Sequence, residues 1–249
     1  ELQNLAERQQ PVEFVDGLQN ILPAGTPLLL QANSSNLVDA YKWTELDAAT
    51  GLAMYALYSR ISDRAEPAES LRANVVYGLG LNAPTVLLSS LQLNDFRLGK
   101  PVVREERKRG IRGAYFQLAR IVLASRGSQR WQIVADIGQT QGQVVDVMRH
   151  LAAPADAALA VANSVEAGCD KLARIIATAD GFQSTAEEPV AVHHYANVLF
   201  NVLRGGIFHD QYRVPAADFA SSVRHFNTLV YERHRGLLDD LDETLAVDD

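Results

Sequence analysis

After Gly138 the apolar residues stop recurring at every second position and follow a helical repeat, and they never change back. Side chains two apart share a sheet face, whereas side chains three or four apart share a helix face. A single switch of period therefore predicts an α+β chain with segregated halves: an antiparallel β-sandwich over residues 1–140, then a helical linker or bundle over 141–249. With 249 residues, both parts are long enough to bury a core.

Within the first half, residues 1–25 are punctuated by Pro11, Gly17, Pro23 and Gly25, and only a short strand near Val12–Val15 is expected. From Pro27 the runs LLLQA, YKWTELD and LAMYALYSRI read as strands, with Ala48-Ala49-Thr50-Gly51 as a hairpin turn. Leu52–Tyr58 is apolar on both alternating faces, which suits a strand covered on both sides, although a helix over 48–60 is the competing reading. ANVVYGLGL and TVLLSSLQL continue the strand theme. The basic run REERKRGIR at 104–112 reads as a solvated loop or sheet edge, with a phosphate or partner contact as the alternative. AYFQLARIVLA, the turn Ser125–Ser128 and RWQIVADIG then predict a hairpin over 114–137.

In the second half, Val144, Val147, Met148 and Leu151 make a short amphipathic helix, and Pro154 with Asp156 starts a longer one ending near Gly181. Val165, Cys169, Leu172 and Ile176 form its stripe, and Gly168 inside it implies either a break or a close packing partner. Thr185 with Glu188, ahead of Pro189, reads as a capping box for a central helix. On that helix Tyr195, Leu199, Val202 and Leu203 share an apolar face, while His193, Asn197, Asn201 and Arg204 form a polar stripe ending at Gly205-Gly206. Two asparagines one turn apart in mid-helix predict fixed partners across an interface, a structural role. Pro215 opens a last helix bearing Phe219, Val223, Phe226 and Val230, and the acidic tail from Asp239 is expected to fray.

The net charge of −7 argues against nucleic-acid binding through bulk electrostatics, and no apolar run approaches a membrane span. Cys169 is the single cysteine, which excludes an intrachain disulfide and fits a cytoplasmic protein. Glu1 in the place of a methionine suggests an excerpt of a longer polypeptide. All six histidines, at 150, 193, 194, 209, 225 and 234, lie in the helical half, so the sandwich has no imidazole for acid–base work. His193 and His194 are adjacent and diverge on a helix, and His193 with His209 lacks further ligands, so no metal is expected. GxSxG, GxxxxGK[ST] and a strand-to-helix GxGxxG are all missing from the sequence.

A β region, a helical linker, the string NVLFNVLRGGIFHDQY and Pro215-Ala-Ala-Asp218-Phe219 behind it together resemble the middle of the inverting, cellobiose-phosphorylase-like glycoside phosphorylases. That is family 94 of the glycoside hydrolases, here its subgroup for β-1,2-glucan oligosaccharides, over about residues 40–235. The resemblance implies a mutarotase-like supersandwich joined by linker helices to an (α/α)6 barrel that carries the general acid and the phosphate site. No catalytic motif of that barrel is matched, so the resemblance implies a non-catalytic scaffold portion of a glycosyltransferring phosphorylase. It would have no cofactor of its own, and inorganic phosphate would be the co-substrate of the parent enzyme. Arg204, His209, Asp210 and Tyr212 are then candidate substrate-binding residues for a β-linked glucooligosaccharide, with no residue assigned as catalytic. A stand-alone carbohydrate-binding or dimerisation module, the latter as a homodimer, and a helical protein-interaction domain are the alternative readings.

Overall fold

The computed structural model describes residues 1–59, 61, 71–204 and 213–246. The chain is α+β and forms two compact units, Glu1–Val161 and Ala162–Asp249.

In the first unit the elements run β1 (Leu2–Gln3), β2 (Gln10–Ile21), α1 (Leu28–Asn33), α2 (Ser35–Ala40), β3 (Lys42–Asp47), β4 (Leu52–Leu57), β5 (Arg72–Leu79) and β6 (Thr85–Leu87). They continue with α3 (Leu93–Arg97), β7 (Arg107–Arg109), β8 (Gly113–Leu123), β9 (Ser128–Gln129), β10 (Gln132–Thr140), α4 (Gln141–Leu151) and α5 (Pro154–Thr178), which runs on into the second unit. A five-stranded antiparallel sheet has the order β10-β5-β4-β3-β7, and a three-stranded one the order β2-β8-β6. The two sheets face each other across Leu46, Ala53, Tyr55 and Val76 from the first and Val86 and Tyr115 from the second.

β4 is indeed a strand, apolar on both faces because both are covered. Ala53 and Tyr55 point into the space between the sheets. Leu52 and Met54 pack instead with Val75, Leu79, Val144, Leu151 and Ala157, so α4 and the first turns of α5 cover the outer face of the larger sheet. For this reason the first compact unit runs to Val161, past residue 140 where the sequence pattern ends its strands. α4 starts at once because Thr140 and Gln143 form a reciprocal capping box.

Several sequence expectations are corrected. LLLQA is helical: Pro27 stands at the N-cap of α1, and Leu, Gln and Ala are good helix formers. TVLLSSLQL remains a strand only through Leu87. The short strand near Val12–Val15 is part of a twelve-residue one. The 114–137 hairpin does not form, since β8 and β10 lie in different sheets. One edge of β8 is taken by β2, from Gln10 opposite Leu123 to Ile21 opposite Gly113 with a register shift between Gln19 and Ile21, and the other is taken over Phe116–Leu118 by β6. β10 pairs instead with β5 of the larger sheet. The N-terminal segment seals the crossover: buried Asn4 donates through Nδ2 to the carbonyls of Ala124 (2.8 Å) and Arg8 (2.8 Å), and its backbone N–H donates to Gly127 (2.8 Å). The middle of the basic run is an edge strand, Arg107–Arg109, paired among the described residues with β3 alone.

The second unit comprises the remainder of α5, α6 (Glu188–Leu203), β11 (Arg213–Pro215), α7 (Ala216–Phe226), α8 (Thr228–Arg233), α9 (Arg235–Asp239) and β12 (Thr244–Ala246). Buried Ile176 of α5 and buried Val198 of α6 both lie against Gly181. Gly181 is required between them, because a Cβ there would stand 2.2 Å from Ile176 Cγ2 and 3.1 Å from Val198 Cγ1. Gly168 neither breaks α5 nor meets a close neighbour among the described residues. The Thr185–Glu188 capping box is not made: Glu187 is the N-cap, and the Thr185 hydroxyl donates to the Glu187 carbonyl instead. The last helix ends at Phe226, where Asn227 caps a new one by accepting from Val230 N–H (3.1 Å). The expected fraying of the tail is replaced, through Ala246, by pairing of β12 with β11.

Candidate functional site

The residues singled out on the central helix are mostly exposed. His193, Asn197 and Arg204 face solvent and Asn201 is half-buried. The expected hydrogen bonds across an interface are not found among the described residues. The Asn201 amide donates back to the Asn197 carbonyl one turn earlier at 2.9 Å, the short-range bond that asparagine makes in competition with a helix. Arg204 is the C-cap, and its guanidinium lies 5.1 Å from the Phe200 ring centre. His194, next to the stripe, contacts the Asp180 carbonyl at 2.8 Å. His209, Asp210 and Tyr212 lie outside the described residues, as do Gly205 and Gly206. The structure thus brings His193, Asn197, Asn201 and Arg204 onto one helix face.

A concave feature with convergent polar groups lies in the first unit, at one end of the sandwich. It is a cavity of about 390 Å³ between the β3–β4 turn, the end of β5 and the strand β8. Thr50, Gly51, Tyr115 and Gln117 contribute its polar lining, while Leu46, Leu79 and Val86 contribute apolar wall. Arg104 is the one charged residue of the described lining, and it is half-exposed and paired with Glu106 at 2.6 Å. The depth of the cavity is therefore uncharged.

Tyr115 donates through its hydroxyl to the Gly51 carbonyl at 3.0 Å. Burial pushes that hydroxyl well above its ordinary range, with the Gly78 N–H pulling the other way, so it remains a neutral phenol. Gln117 is 2 % exposed, yet its Oε1 has no hydrogen-bond partner among the described residues. Its carboxamide lies flat over Gly78, where an added Cβ would be 1.9 Å from Nε2. Sequence reading passes over Gln117, although a glutamine in the run YFQLA, where its neighbours are apolar, is a signal that could have marked it.

A groove of about 550 Å³ on the other side of β8 is larger, but its charges are exposed and already paired: Arg120 with Glu13 at 2.7 Å, and Lys100 with Asp95 at 3.0 Å. At the β7 edge of the larger sheet Trp43 is flanked by the guanidinium of Arg109, 3.7 Å from its ring centre, and by exposed Tyr58. Arg107 there bonds Glu45 at 2.6 Å and holds that carboxyl below its usual range.

Two charged side chains are deeply buried among the described residues, and both are hydrogen-bonded to the framework. Lys42 donates to Asp39 (2.7 Å) and Gln31 (2.6 Å). Glu105 accepts from Leu88 N–H (2.8 Å), the Ser89 hydroxyl (2.9 Å) and the Gln92 amide (2.9 Å), and pairs with Lys108 at 3.0 Å. No group of three or more metal-ligating side chains occurs among the described residues, and no described helix is long and apolar enough to cross a membrane. Compared with known proteins, the chain matches no family model, and no curated protein matches it.

Proposed function

We propose that this chain is a scaffold portion of a carbohydrate-active enzyme, a supersandwich with linker helices of the kind found in inverting β-glucan phosphorylases. The catalytic (α/α)6 barrel would belong to another part of the parent polypeptide. The observation that carries the reading is the use made of the buried charges. Lys42 and Glu105 are each hydrogen-bonded to the framework, tying α1 and α2 to β3, and the 88–92 segment to the basic edge. A carboxylate poised for proton transfer needs a free face towards substrate. The element order, stacked antiparallel sheets followed by helices, also supports the resemblance.

On this reading the parent's substrates are a β-linked glucooligosaccharide and inorganic phosphate, Arg204 with His209, Asp210 and Tyr212 face the barrel, and the protein works in the cytoplasm. The test is to incubate the purified chain with β-1,2-linked glucooligosaccharides and phosphate and to assay glucose 1-phosphate. None is expected from the chain alone, and turnover is expected from the longer polypeptide that the reading requires. Turnover by the chain alone, abolished by a substitution within it, would overturn the scaffold assignment.

A further inference from the structure

We propose that the cavity at the end of the sandwich binds a small neutral polyhydroxyl molecule, a monosaccharide or cyclic polyol, held by the Gln117 carboxamide. A buried amide oxygen without a donor is uncommon in folded proteins, and each instance calls for a reason. Here the amide lines a cavity of about 390 Å³, within the range of about 300–1,000 Å³ typical of small-molecule sites.

The chemistry of the lining selects the ligand class. An ionic ligand would need a counter-charge at depth, but the only charged residue of the described lining is Arg104, half-exposed and neutralised by Glu106. A carboxamide presents an acceptor and a donor side by side, and a hydroxyl can give or take a hydrogen bond. Adjacent hydroxyls therefore satisfy whichever amide atom faces the cavity. The C–H face of a sugar or cyclitol ring suits the walls of Leu46, Leu79 and Val86. Gly78 makes the seat for the amide, because any side chain there would occupy its position. The proposal rests on the cavity alone, so its outcome leaves the scaffold reading where it stands.

The test is a titration of the full, isotope-labelled chain with glucose, with myo-inositol and with acetate as the charged control, following the Gln117 side-chain amide and the Gly51 and Gly78 backbone amide resonances, the latter two remaining in every variant. Saturable shifts at millimolar glucose or inositol are expected, with none for acetate. Gln117→Met should weaken binding by about tenfold or more, the effect of losing one or two hydrogen bonds. Ala49→Trp alters an exposed position at the cavity rim and leaves the core untouched, so it should block binding even if the Gln117 variant does not fold. Three outcomes would overturn the proposal: no saturable shift with either neutral probe, as when only water occupies the cavity; a response to acetate alone; or glucose binding undiminished in the variants.

Discussion

The Tyr55 hydroxyl donates to the Ala114 carbonyl at 2.8 Å, crossing from β4 of the larger sheet to β8 of the smaller one. Tyr115, next in sequence to Ala114, returns the link by donating to Gly51 just ahead of β4. Two tyrosines, one from each sheet, thus fix the spacing and lateral position of the sheets through reciprocal bonds. Apolar contact alone is non-directional and would not do so.

Tyr55→Phe removes a donor and leaves a buried carbonyl unsatisfied, so it should lower stability by about 1–3 kcal/mol in thermal unfolding. Tyr55 is fully buried, and burial raises its pKa well above the ordinary value. Because the folded value lies above the unfolded one, the contribution is fully present below about pH 10 and is lost as pH rises towards the folded value. The melting temperature should therefore fall above about pH 10, and fall less steeply in Tyr55→Phe. Identical slopes in the two proteins would contradict the assignment.

Glu105 gathers four partners from the 88–92 segment and Lys108. Glu105→Ala strands buried donors and a cation together and should cost about 3–5 kcal/mol, read as a lower urea midpoint at unchanged slope. Glu105→Gln keeps the shape and should cost less. A midpoint in Glu105→Ala equal to that of the parent would show the cluster to be energetically idle.

Gly78→Ala drives a methyl group into the Gln117 amide. The clash should cost about 1–3 kcal/mol, and most of that cost should vanish in a Gln117→Ala background, where the amide is gone. Strict additivity in the double-mutant cycle would mean that the two residues do not meet.

How much of this was legible beforehand follows from what periodicity encodes. Alternation along Leu52–Leu57 and the helical repeat from Val144 to Leu151 announced which residues share a face, and the structure uses both patterns. The Asp47–Leu52 turn was legible because its strands are neighbours in sequence, and β3 and β4 do pair. Alternation does not say which strand lies alongside. The strong patterns of β8 and β10 suggested a hairpin, yet β2, about a hundred residues earlier in the chain, takes the place that β10 would have had. The candidate site divides in the same way. His193, Asn197, Asn201 and Arg204 were found because they sit one turn apart on one helix, a local relation. Gln117, Gly78, Tyr115 and Thr50 come together from two separate strands and a turn, and no spacing along the chain records that meeting. By itself the sequence determined the class of the fold, the switch from sheet to helix and the residues with an inward face. Tertiary structure alone decided the strand partners, the sealing of the crossover by Asn4 and the cavity at Gln117, because each depends on long-range contacts whose geometry is set only when both sheets are in place.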